Sequence, residues 1–479
     1  MRITDDNRHA FILGAASCVL GLVVLDETVV GVALPTMRTD LGISQLESHW
    51  IVNAYLLTFT CFVAVGGRLG DLFERRLVFA AGAGIFALGS LMAGLAPTGG
   101  LLIAARAVQG IGAAVTFPAS FAILTATFPP QRRGAAFAVQ TTIAGTFMAA
   151  GPLVGGVFSQ ALSWRWIFLV NLPVVAATAI VLLAALRPSA AGKPAFDAGK
   201  FDYPGLIGLV VGLSGLVIAL MQSSDWGWTS PKTLSMLTIG AVATSAFVAI
   251  ELKRAAALER GRGAAPLIEL DLLRIPTFTG GNLIFAVFQF EKMAMFIFVA
   301  LYLQHGLGRS PVEAGLTVTV AILPTLATSR LAGRLRDTLG PRPPLIAALL
   351  VTAATIFVIG LATIAASHWL IAVTLIVWGA VMPGIAVPLR PALMGAVPAD
   401  RQGQASGVNL SIQMLGGTFG IALCSVLLAS TSVYWPVFAV TGAATLVAAG
   451  IAWTLVERPP DGKRPPHDGG TGAARPGRR

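Results

Sequence analysis

Gly67-Arg68-Leu69-Gly70-Asp71, followed by Glu74-Arg75-Arg76, and Gly333-Arg334-Leu335-Arg336-Asp337, followed by Gly340 and Arg342, say nearly the same thing 266 residues apart. Each copy closes one long apolar run and opens the next. A short charged link, begun by glycine and repeated at the same place in two halves, marks a duplicated helical bundle in a bilayer. The composition fits. Of the 479 residues, 55% are hydrophobic and 11% charged, and the mean hydropathy is +0.79. A soluble protein carries about 25% charged residues.

A hydrocarbon core of about 30 Å takes roughly 20 apolar residues per helix. Fourteen such runs read off the chain: 11–34, 48–66, 77–97, 100–127, 134–158, 166–186, 204–222, 233–250, 278–303, 312–332, 344–366, 369–389, 404–429 and 434–456. The expected fold class is therefore an all-α, polytopic membrane protein with 14 transmembrane helices. Six-helix bundles are expected over 11–187 and 278–457, with two additional transmembrane helices over 204–252 between them. Linkers rich in Pro, Gly and charge bracket the extra pair. The tail 458–479 is Pro-, Gly- and Arg-rich without periodicity and is expected to be disordered. Parallel six-helix halves about an axis along the membrane normal put a substrate site near mid-depth between them.

The net charge of +11 suggests nucleic acid until the cations are placed. With a cytoplasmic N-terminus and alternating helices, 27 of the 33 Lys and Arg fall on the cytoplasmic side. Four lie outside (Arg38, Arg165, Lys232, Arg309) and two within the membrane (Arg106, Lys292). This positive-inside bias places both termini in the cytoplasm and removes nucleic acid as a partner. No cleavable signal peptide is expected before the first run. Cys18, Cys61 and Cys424 fall inside apolar runs and read as small buried hydrophobes. The Gly-Lys pairs at 192, 199 and 462 are followed by Pro, Phe and Arg, so no phosphate loop exists for ATP. Histidines 9, 49, 305, 368 and 467 sit in loops or tails and form no metal-ligand spacing. The chain is expected not to be an enzyme, and to need no cofactor beyond a proton gradient.

An ionisable group at membrane depth costs at least about 2.5–3.5 kcal/mol on insertion scales and is a functional candidate by default. Five stand out: Asp26, Glu27, Arg106, Glu291 and Lys292. Helix rise puts Asp26 about 12 Å and Arg106 about 9 Å below the outer face, with Glu291 near the midplane. Burial and a nearby cation shift a carboxylate's proton affinity in opposite directions. An acid that changes partner or water access between two conformations therefore links protonation to which face is open. Asp26 is expected to be the leading proton carrier, modulated by Arg106. Glu291 is expected to be a second titrating or cation-binding carboxylate, with Glu27 the weaker candidate. A static ion pair holding two helices together is the competing reading.

Helical spacing puts Glu291 on one face with Phe288, Met295 and Phe298, either a frame for a lipophilic cation or an apolar helix-packing or lipid-facing stripe whose acid is paired elsewhere. Lys292 points about 100° away and shares a face with Gln289. Ser406, Asn409 and Gln413 form a polar stripe that either lines the same cavity or bonds across helices. Gly151, Pro152, Gly155 and Gly156 read as tight helix packing or as hinges for rocking the halves. The charged links, with Asp71, Arg75 and Arg76 in one copy and Arg334, Asp337 and Arg342 in the other, read as gates on the inner side or as charge clusters that only set topology.

These residues resemble the major facilitator superfamily and, within it, the fourteen-helix drug:proton antiporters. Leu25-Asp26-Glu27-Thr28-Val29-Val30 through Ala33-Leu34-Pro35 is similar to the first-helix signature of that branch. Gly67 to Arg76 resembles the superfamily's loop between helices 2 and 3, and Arg106 with Gln109-Gly110 and Gly112 its fourth-helix arginine motif. Gly151-Pro152 with Gly155-Gly156 resembles the fifth-helix antiporter signature. Ser163-Trp164-Arg165-Trp166-Ile167-Phe168 with Asn171 and Pro173 fits the same branch. Glu74 and Phe147 depart from it, each standing where the family has glycine. The resemblance implies a proton-coupled exporter of hydrophobic or cationic drugs, working by alternating access. It also implies a monomer in a bacterial cytoplasmic (inner) membrane, with the charged loop stabilising the outward-open state. A lipid or endogenous-metabolite exporter on the same fold is the alternative.

Overall fold

The computed structural model describes residues 7–186, 202–259, 266–267, 270–398 and 401–456. The tail expected to be disordered, 458–479, lies outside the described residues. Among the described residues every regular element is helical, because backbone N–H and C=O groups in hydrocarbon must bond within their own segment. Fourteen helices are long and apolar enough to cross a membrane. The first six are α1 (Arg8–Leu41), α2 (Gln45–Leu72), α3 (Arg75–Gly94), α4 (Gly99–Thr127), α5 (Pro130–Val157) and α6 (Trp166–Ala185). The extra pair is α7 (Tyr203–Trp226) and α8 (Pro231–Glu259). The last six are α9 (Pro276–Gly306), α10 (Pro311–Leu339), α11 (Arg342–Ile364), α12 (His368–Gly395), α13 (Gln402–Thr431) and α14 (Trp435–Leu455). The apolar run ending at 389 underestimates α12. Arg390 stays within that helix, its guanidinium 5.7 Å from the Phe285 ring, as a long side chain near a helix end can.

The duplication extends beyond the charged links. Ser44 accepts the backbone N–H of Glu47 while Glu47 accepts that of Ser44, at 3.1 and 2.8 Å. Ser310 and Glu313 do the same at 3.2 and 2.9 Å. These capping boxes start α2 and α10, again 266 residues apart. Packing repeats as well: α1 with α5 matches α9 with α13, α2 with α4 matches α10 with α12, and α3 with α6 matches α11 with α14. The halves meet along two seams related by the same operation, α5 with α10 and α2 with α13.

The end of the bundle where α1 terminates is here called the distal end. Along the α5–α10 seam the halves are in backbone contact there. A Cβ on Gly156 would run into the Pro311 carbonyl, and one on Gly315 into the Pro152 carbonyl. The expected hinge residues therefore sit at close approaches, with Gly151 against Thr28 and Gly155 against Val29 of α1. The extra helices form a hairpin. Gly208, Gly212 and Gly215 of α7 lie against Phe247, Thr244 and Gly240 of α8. The opposite face of α7, with Leu209, Leu213, Val217 and Met221, packs on Leu57 and Cys61 of α2 and on Ala422 of α13. The hairpin thus lies along the α2–α13 seam and touches both halves.

Candidate functional site

The deepest charges of the first half share one hydrogen-bonded network, in which Arg106 Nη2 alone of the guanidinium nitrogens has no partner. Asp26 and Arg106 are both fully buried, and a buried charge is tolerated only when paired and hydrogen-bonded. Arg106 Nη1 donates to Asp26 Oδ2 and, at 2.6 Å, to Gln109 Oε1. Arg106 Nε donates to the Ile51 carbonyl at 3.0 Å. Gln109 Nε2 donates to Asp26 Oδ1 and to Ser90 Oγ, both at 2.9 Å, and Asn171 Nδ2 reaches Ser90 Oγ at 3.2 Å. The guanidinium lies 4.3 Å from the Tyr55 ring centroid and 5.7 Å from that of Phe168. Five helices therefore converge on one carboxylate. The depths expected from helix rise for Asp26 and Arg106 do bring the two side chains together.

Glu27 leaves α1 in another direction and meets the second half. Its Oε2 lies 3.7 Å from Lys292 Nζ, with Gln289 beside it. Glu291 does not join them. Fully buried, it accepts from Thr445 Oγ1 of α14 at 3.1 Å, and its Oε1 has no hydrogen-bond partner. It lies inside the second bundle rather than between the halves. The expected stripe of Glu291 with Phe288, Met295 and Phe298 is also broken. Residues 295–299 and 302–306 of α9 are π-helical, and such a turn rotates every later side chain out of the α-helical register. Phe298 consequently faces α2, its ring 5.5 Å from that of His49, while Phe288 packs on Phe285. His49 itself is a correction: it is buried in α2, not in a loop.

The polar stripe on α13 bonds across helices. Gln413 Nε2 donates to Asn409 Oδ1 at 2.5 Å, Asn409 Nδ2 to Asn282 Oδ1 of α9 at 2.9 Å, and Asn282 Nδ2 to the Phe278 carbonyl at 2.8 Å. This chain ties α9 to α13 within the second half. Among the described residues no group of three or more His, Cys, Asp and Glu side chains converges as metal ligands would.

The family model described as Major Facilitator Superfamily matches residues 16–201 and 282–477, the two six-helix halves without the hairpin between them. The chain belongs to this superfamily. Among its curated relatives, the puromycin resistance protein pur8 of Streptomyces alboniger is 32% identical over 470 residues, covering 91% of this chain and 89% of that one. The tetracenomycin C resistance and export protein of Streptomyces glaucescens is 30% identical over 414 residues, covering 85% and 74%. A crystal structure of a D-xylose-proton symporter shares the fold at a TM-score of 0.67 and 16% identity, covering 94% of this chain and 98% of that one.

In this superfamily member the two charged links differ in their contacts. In the first, the side chain of Asp71 lies outside the described residues. Arg76 pairs with Glu74 at 3.4 Å and donates to the Leu186 carbonyl at 3.2 Å, and Arg75 is exposed. Glu74, the departure from the family pattern, therefore serves as a local counter-charge. In the second, Asp337 pairs with its neighbour Arg336 at 2.5 Å. Arg334 is exposed, and Arg342 stacks 4.9 Å from the Trp453 ring and donates to the Trp453 carbonyl. Phe147, the other departure, lies over Gly21 of α1, where no side chain competes for the space.

Sequence reasoning missed Ser90 and Tyr55 as partners of the Asp26 network. Neither has a signal of its own; a serine and a tyrosine in apolar runs are ordinary packing residues. Gln109 and Asn171 stood within motifs but without a role, and their spacing from Arg106 and Pro173 did not say what they bond.

Proposed function

We propose that this protein is a proton-coupled exporter of hydrophobic and cationic compounds that works by alternating access, with the distal end facing outside. The observation that carries the reading is Asp26, an acid at membrane depth held by an arginine and an amide of α4 and, through that amide, by a serine of α3. Such a carboxylate changes proton affinity when a partner moves or water enters. A proton crossing the membrane then gathers about 2.3 kcal/mol per 100 mV and about 1.4 kcal/mol per pH unit. That is enough to export a solute uphill by a decade or more. The names of the two relatives, which concern antibiotic resistance and export, support the cargo class. In this reading the α5–α10 contact at the distal end belongs to the state closed on the outer side, and cargo enters from the cytoplasmic side or the inner leaflet.

Glu291 is assigned as a second titrating acid, independent of the first because it lies in the other bundle with Thr445 as its hydrogen-bond donor. The charged links act on the inner side as charge clusters that favour one packing of the helix ends over another. The test is transport in proteoliposomes under an imposed pH gradient, with ethidium as cargo. Wild type accumulates ethidium only with the gradient. Asp26→Asn folds and binds ethidium but does not respond to the gradient. Gradient-dependent transport by Asp26→Asn would remove Asp26 from the coupling.

A further inference from the structure

Asp26 and Glu27 are consecutive, so their side chains leave α1 about 100° apart, and the two acids are held very differently. Asp26 is locked inside one half by the network around Arg106 and Gln109. Glu27 meets a cation of the other half, and at 3.7 Å that contact is longer than a charge-assisted hydrogen bond of about 2.7–2.9 Å. The side chain of Lys292 is 12% exposed, against 4% for Glu27 and none for Asp26 or Arg106. Of the five intramembrane charges, Lys292 is the most exposed.

The pair also has a defined place between the halves. From it toward the distal end run further contacts: Gln304 donates to the Val32 carbonyl at 2.8 Å, His49 meets Phe298, and the Val312 N–H reaches Gln160 Oε1 at 3.4 Å. Glu27–Lys292 lies at mid-depth, about 20 Å below that end by helix rise. A cation arriving between the halves from the opposite end meets Lys292 and Glu27 before these contacts. Phe288, half-buried one turn before Lys292, offers a ring to a lipophilic cation.

We propose that Glu27 is the carboxylate that recognises the cationic group of a cargo, and that Lys292 is its built-in stand-in, displaced when a lipophilic cation binds. The proposal rests on the export reading for its cargo class. It gives two adjacent acids separate roles. Asp26 exchanges a proton inside one half, and Glu27 exchanges one cation for another between the halves. Displacement leaves Lys292 without its acid and removes the charge tie between halves, so cargo binding loosens the closed side. An uncharged cargo has nothing to put in place of the ammonium and leaves the tie intact.

The test is equilibrium binding to purified protein in detergent, without a gradient. The probes are tetraphenylphosphonium and N-phenyl-1-naphthylamine, which is uncharged at neutral pH. Lys292→Gln is expected to bind tetraphenylphosphonium about tenfold more tightly than wild type and the uncharged probe equally well. Glu27→Gln is expected to lose the cation and keep the uncharged probe, and the double variant to show no gain. The charge swap Glu27→Lys with Lys292→Glu is expected to return to wild-type affinity, which controls for folding. Unchanged or weaker cation binding by Lys292→Gln, or a gain that survives in the double variant, would overturn the proposal. Loss of gradient-driven transport would bear on the export reading alone, so the two can fail separately.

Discussion

Helices α1 and α9 occupy equivalent places in the two halves, yet each treats its buried acid differently. On α1, Asp26 has a guanidinium and an amide, with a serine and an asparagine behind them. On α9, Glu291 has a single threonine hydroxyl and one oxygen without a partner. At the offset of the repeated links, the residue matching Asp26 is Lys292, which is turned to the other half. Duplication has thus kept the scaffold and changed the chemistry. The capping boxes, the seams and the helix pairings are copied, while the charges that could move protons or hold cations are distributed unequally. A compensated acid can be strongly coupled to its partner's position; an acid with one hydroxyl can titrate with little effect on packing.

That contrast can be broken from the strongest side first. Arg106→Met strands Asp26 as an unpaired acid, and thermal unfolding in detergent should show a loss of about 3–5 kcal/mol. Adding Asp26→Asn should recover most of that stability without recovering transport; a double variant as unstable as the single one would mean that the arginine acts through packing. Next in size are close approaches in the two matching helix pairs, α1 with α5 and α9 with α13. Gly151→Ala against Thr28, and Gly416→Ala against the Ala286 carbonyl, should each lower stability by about 1–3 kcal/mol through overpacking. Free acceptance of either would show that its helix pair is looser than the close approach implies.

Smaller effects sharpen the symmetric part. Ser44→Ala and Ser310→Ala each remove one capping box and should cost about 1 kcal/mol apiece. Unequal losses would show that one half depends more on its distal end than the other. The smallest effect is expected at Glu291→Gln, where an amide oxygen can still accept from Thr445 and stability should change by no more than about 1 kcal/mol. Proton release per cargo should fall in that variant while Asp26-dependent transport persists. Complete loss of transport in Glu291→Gln would place the essential acid in the second half.

Much of the scaffold was legible because hydrocarbon permits little else. Fourteen apolar runs became fourteen helices, and the repeated links located the two halves. Both capping boxes, Ser44 to Glu47 and Ser310 to Glu313, also stand in the sequence as Ser-x-x-Glu ahead of an apolar run. The Asp26–Arg106 contact could be anticipated from depth, since two helices with known rise fix height. Height does not fix azimuth. That is why the Glu27–Lys292 contact, and the seating of Glu291 under α14, needed coordinates. The stripe through Phe288, Met295 and Phe298 failed for a related reason: a π-turn leaves no mark in an apolar run but changes which face every later residue takes. In the second charged link, the residues named as a gate did not say which arginine Asp337 meets, and it is the adjacent Arg336.

Proton release from the purified protein on adding tetraphenylphosphonium, followed with a pH dye in weak buffer, bears most directly on the claim that Asp26 trades a proton for cargo. The account predicts release in wild type that saturates with binding and is abolished in Asp26→Asn while binding remains. Equal release from Asp26→Asn, or binding by wild type with no release at any pH at which the protein stays folded, would contradict it.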